Sequence, residues 1–120
     1  MRKSLLSIVY FGFVFFITNP LLAYDLKTKM RIAGSIAGIM CLEKQGDISS
    51  RAARAMRLEM IEKYGYSSEV ISDRKINRAA KLLAIELVKR ETNCFNNRSI
   101  QRSMYDIPNS FFERQAEMLR

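Results

Sequence analysis

The chain has 120 residues, enough for one domain, with 20 Lys and Arg against 12 Asp and Glu and a net charge of +8. It contains no His, which excludes Ser-His, Cys-His and His-metal chemistry together. Only 5 Gly and 2 Pro are spread along it, which argues against a many-turned β protein and for an all-α fold.

Residues 1–23 read as a cleavable signal peptide. Arg2 and Lys3 supply a positive start, Leu5 to Thr18 an uncharged apolar run, and Asn19 to Ala23 a helix-breaking tail. That order is the three-part pattern of a secretory leader, and Ala23 suits the last position before cleavage. The competing reading is an uncleaved anchor, because Leu5 to Tyr24 is about 20 residues, long enough to span a bilayer. Pro20 interrupts that span near its end and favours cleavage. Residues 24–120 are then expected to form a single small helical domain, exported to a periplasm or secreted.

The first helix is expected over Asp25 to Lys44, with Asp25 capping its positive end. Stepping 100° per residue places Leu26, Met30, Ala33, Ala37, Met40 and Cys41 on one face and Ile32, Ile36 and Ile39 on a second. Such a helix is normally buried between several neighbours. Gly34 and Gly38, one turn apart, each cost roughly 1 kcal/mol of helix propensity against Ala. They suggest a smooth groove that a second helix approaches closely. The uncharged run between Arg31 and Glu43 is too short to cross a membrane.

Gly46 suits a left-handed helix terminus, and Asp47 or Ser49 then caps a second helix over Ser49 to Tyr64. Its expected core stripe is Ala53, Met56, Met60 and Tyr64. Met56 and Met60 are better read as core filler than as a soft copper(I) site, since no third soft ligand is near. Gly65 closes the helix. A third helix starts at Ser67 or at Ser72 and runs to about Glu91, with Ile76, Ala79, Ala80, Leu83, Ala84 and Leu87 facing inward. It is the natural partner for the glycine groove. A short helix follows over Ser99 to Tyr105, then a turn at Asp106 to Pro108. Ser110-Phe-Phe-Glu113 matches a capping box for a closing helix that docks Phe111, Met118 and Leu119. The expected architecture is a small bundle of three main helices plus a short C-terminal helix, preceded by the leader.

Cys41 and Cys94 are the only cysteines, and an even count in an exported chain suggests a disulfide. A bridge from the end of the first helix to the end of the third requires the two to run roughly parallel, with the second as the return.

Glu59 with Lys63, and Glu86 with Arg90, are spaced to pair along their helices. Arg54, Arg57, Arg74, Arg78 and Lys81 have no acidic residue three or four positions away, nor does Lys75. The five are the candidate binding residues, a basic face for an acidic protein or an anionic envelope component. A solvated basic surface is the bland alternative. Nucleic acid is disfavoured by the leader and by the lack of aromatics among the basic residues. The carboxylates Glu43, Glu59, Glu62 and Glu86 show no spacing that converges two on one site, so no catalytic residue, cofactor or metal is assigned. The function expected is that of an exported interaction protein, whether adaptor, inhibitor or chaperone-like factor. The alternative is a membrane-surface protein held by an uncleaved leader and the basic face, with a carboxylate-only enzyme behind both. In length, export and one bridge between an early and a later helix, the plan is loosely similar to the acid-activated periplasmic chaperones.

Overall fold

The computed structural model describes residues 24–120, so the leader lies outside the described residues. These form five α-helices: α1 (Leu26–Lys44), α2 (Ser50–Lys63), α3 (Arg74–Lys89), α4 (Asn97–Asp106) and α5 (Asn109–Leu119). A short 3-10 helix, Ser68–Ser72, leads into α3. No strand is present among the described residues. The fold is all-α.

Polar caps set the helix starts. The Asp25 carboxylate accepts from the Thr28 amide at 2.8 Å, and the Ser49 hydroxyl accepts from the Ala52 amide at 3.1 Å. Both candidate starts for the third helix are used, in different ways. Ser67 caps the 3-10 helix, and Asp73 then opens α3 by accepting from the Ile76 amide at 2.8 Å. Helix ends share one device. At Gly46 and Gly65 the backbone turns left-handed (φ 78° and 72°), and paired amides reach back to the last free carbonyls of α1 and α2. The same double bond closes α3 with Glu91 in the left-handed position at φ 55°. A side chain there costs about 1 kcal/mol.

The expected capping box does not form. Helix α5 begins at Asn109, so Ser110 already lies within its first turn and makes no cap hydrogen bond. Pro108, whose fixed φ of −59° suits a helix start, takes the position before it.

α1 packs most extensively on α3, and both pack against α5. Their directions follow from the ties at each end. Lys29 Nζ, early in α1, donates to the Leu119 carbonyl at 3.2 Å, and Lys75 Nζ, early in α3, donates to the Arg120 carbonyl at 3.5 Å. At the other end Cys41 and Cys94 form a disulfide with Cα atoms 6.1 Å apart. Gln45 Nε2 donates there to the Thr92 carbonyl at 2.6 Å. α1 and α3 therefore run parallel, and α5 runs against both. α2 is the return: its start meets Glu43 through Ser50, and the chain just past its end reaches back to the Tyr24 hydroxyl through the Ser67 amide.

All six inward residues expected on α3 are buried, as are Ile32, Ala33, Ile36, Ala37, Ile39, Cys41 and Leu42 of α1. α2 departs from its expected stripe. Ala53 and Ile61 are its buried residues, Met56 and Met60 are half-buried, and Tyr64 is 59% exposed. The helix ends at Lys63, and the left-handed turn at Gly65 carries the chain away before Tyr64 can reach the core. Tyr66 packs instead, edge-on to Tyr24 at 5.6 Å. Glu86 pairs with Arg90 at 3.8 Å and Lys89 at 3.7 Å, whereas Glu59 and Lys63 form no ion pair. Lys63 Nζ stands 5.8 Å from the Tyr64 ring centre. In α5, Leu119 and Gln115 are buried, and Phe111 and Met118 are half-buried.

The glycines do not meet α3. A Cβ built on Gly34 or Gly38 would touch nothing within 4 Å among the described residues, so none of the described helices closes over them. The apolar faces of α1 are filled by Ile32, Ala33, Ile36 and Ala37, which turns both glycines toward the outer flank shared with Lys27 and Arg31.

Candidate functional site

Two surfaces stand out, one charged and one apolar. The charged one follows from the amphipathic pattern of α3. With Ile76, Ala80, Leu83 and Leu87 turned inward, the 100° step puts Arg74, Arg78 and Lys81 on the opposite side, and all three are exposed. None makes an ion pair with another described residue. The nearest carboxylate in sequence, Asp73, is occupied in capping α3, and Lys75 is tied to the chain terminus.

Arg54 and Arg57 sit on α2. Arg54 is exposed, whereas Arg57 is half-buried, because it lies one turn from both Ala53 and Ile61 on the inward side. α2 and α3 both lean on α1 and make little contact with each other. The five basic residues thus form a row of three on α3 and a pair on α2.

The apolar surface is a groove of about 310 Å³ over Gly34, where α1, α3, α4 and α5 meet. Ala33 and Leu83 are its most buried lining residues, at 2% and 4% exposure, and Met30, Met104 and Phe112 form half-buried walls. Lys27 and Arg31, both exposed, line it too. One polar group is placed deep among these residues. Gln115 is 4% exposed, and its amide has no hydrogen-bond partner among the described residues. Gln115 lines the groove, and no side-chain nitrogen or oxygen among the described residues is both sealed from solvent and unpartnered, so its amide keeps access to water.

Compared with protein-family models, with curated proteins and with solved structures, the chain matches none. The surfaces must be interpreted from their own chemistry.

Met56 and Met60 line a smaller cleft of about 250 Å³ with Ile39 and Tyr64. Among the described residues there is no group of three His, Cys, Asp or Glu able to hold a metal ion. Of the carboxylates, Glu43 accepts from Ser50 Oγ at 2.9 Å and Glu86 is held by Lys89 and Arg90. Asp25 is held below the usual carboxylate range, first by its hydrogen bond from Thr28 and then by the charges of Lys27 and Arg31.

Sequence reasoning found the basic residues because counterion spacing is a local property. It missed the groove, because its walls come from four helices and its opening depends on which flank of α1 those helices leave uncovered. The one signal present was the pair of glycines, whose cost in helix propensity called for a reason.

Proposed function

We propose that this chain is an exported helical interaction protein that docks an acidic partner through its basic residues. Arg74, Arg78 and Lys81 form the main contact, and Arg54 and Arg57 extend it. The observation that carries this is the exposed row of Arg74, Arg78 and Lys81 on the outward side of α3, none of which makes an ion pair with another described residue. Export is supported by the leader pattern, by the disulfide, which persists in oxidising compartments, and by the absence among the described residues of a helix able to cross a membrane.

An exposed ion pair contributes only about 0–1 kcal/mol. Useful affinity must therefore come from several cations acting together, and it falls as salt screens them. The test is the triple variant Arg54→Glu, Arg74→Glu, Arg78→Glu. Capture of partner from the host's own envelope fraction at low salt should be lost, with the helical circular dichroism unchanged. A folded triple variant that still captures the same partner would make the basic row a solvated surface and nothing more.

A further inference from the structure

The groove over Gly34 has features that the core does not require. Part of its lining, at Gly34, lacks a side chain, its walls include Met30, Met104 and Phe112, and the exposed Lys27 and Arg31 line it too. Methionine walls re-pack around differently shaped guests. The deciding residue is Gln115. Its amide keeps access to water in the free chain, so a guest that covered it without bonding to it would leave it unsatisfied. It offers one donor group and one acceptor, the complement of a peptide unit.

We propose that this groove binds an extended, acidic segment of the partner protein, one large apolar side chain of which enters over Gly34. The leucine- or phenylalanine-sized side chain lies between Met30, Met104 and Phe112. The segment's backbone amide bonds to Gln115, and carboxylates flanking the apolar residue reach Lys27 and Arg31. An acyl chain with a carboxylate head would satisfy the walls and the two cations, but it would cover the Gln115 amide without bonding to it. A peptide satisfies all three. This inference rests on the partner being acidic, as proposed above, but it assigns the anchoring to a different surface.

The glycine makes the proposal separable from folding. A Cβ at Gly34 or at Gly38 meets nothing within 4 Å among the described residues, and the melting temperatures of Gly34→Leu and Gly38→Leu, measured first, check that the rest of the leucine is tolerated before binding is read. Only the first fills the groove. The probes are two fluorescein-labelled peptides of equal charge, Asp-Glu-Phe-Leu-Glu-Asp and Asp-Glu-Ser-Ser-Glu-Asp, read by fluorescence anisotropy at low salt. The apolar peptide should bind at least tenfold more tightly than the serine peptide. Gly34→Leu should abolish that difference, and Gly38→Leu should retain it. Independently of any variant, the methyl resonances of Met30 and Met104 should shift on addition of the apolar peptide and not of the serine peptide.

The two surfaces fail in different ways. If Arg74→Glu with Arg78→Glu weakens both peptides equally, and Gly34→Leu changes nothing, the groove is overturned and the basic row stands. If Gly34→Leu removes the tenfold difference, the groove stands whatever the α3 reversal does to the peptides, and the basic row stands or falls separately on partner capture by the triple variant. Decanoate binding as tightly as the apolar peptide, and equally sensitive to Gly34→Leu, would overturn the peptide as occupant.

Discussion

The disulfide end of the molecule and the groove beside Gly34 are built by the same helices to opposite ends. At the first, α1 and α3 are tied covalently, Gln45 bonds to the Thr92 carbonyl, and the buried hydroxyls of Thr92 and Ser103 bond to each other. The buried polar side chains there are partnered within the fold. At the second, a Cβ on Gly34 would meet nothing within 4 Å among the described residues, and the amide of Gln115 keeps access to water instead of a bond within the described fold. α4 takes part in both, since Ser103 seals one region and its neighbour Met104 walls the other.

The comparison breaks most readily at the disulfide. Cys41 and Cys94 are 53 residues apart, and opening a loop of that length should cost about 4 kcal/mol. Thermal unfolding followed by circular dichroism should show the melting temperature falling by on the order of 20 °C on reduction or in Cys41→Ser with Cys94→Ser. No change would mean that the hydrogen bonds of Gln45, Thr92 and Ser103 hold that end unaided.

Next in size is the buried hydroxyl pair. Ser103→Ala strands the Thr92 hydroxyl in a site 2% exposed and should cost about 1–3 kcal/mol in chemical denaturation. Adding Thr92→Val removes the stranded group, so the double variant should be more stable than the sum of the two single losses. Simple additivity would show that the two hydroxyls do not depend on each other.

At the open flank the sign reverses. Gly34→Ala and Gly38→Ala should each stabilise the chain by about 1 kcal/mol, because α1 gains helix propensity and the new methyl group meets no neighbour. Destabilisation by either substitution would mean that another helix does close over α1, as the sequence alone suggests.

The smallest effect sharpens the same flank through pH. The Asp25 carboxylate is held below its ordinary value by Thr28, then by Lys27 and Arg31. A group lowered on folding contributes stability above its unfolded pKa of about 3.9, and that contribution is lost as pH falls through the folded value. Asp25→Asn still caps α1 but does not titrate. Its melting temperature should therefore decline less steeply than that of the parent chain below about pH 4. Identical acid limbs would show that Asp25 contributes nothing titratable to α1.

What the sequence determined by itself was local. Asp25 and Ser49 mark helix starts because a short polar side chain can reach an amide three residues on. Gly46 and Gly65 mark helix ends because a left-handed residue closes the last turn. The inward stripe of α3 follows from its 3.6-residue period, and the bridge between Cys41 and Cys94 from an even cysteine count behind an N-terminal pattern that reads as a leader. Only the tertiary structure decided what lies outside each helix. Ile61 is buried and Tyr64 is not, because the direction of the chain after Gly65 is set by the docking of Tyr66 on Tyr24. The start of α5 fell to Pro108 rather than Ser110, and left-handed Glu91 shows that a closing turn can form without glycine. The glycines of α1 make the same point most sharply. Their spacing predicts a close helix contact, but contact depends on which flank the later helices cover. With α3 against the isoleucine and alanine faces and α5 beside Met30, Gly34 was left in the lining of a groove.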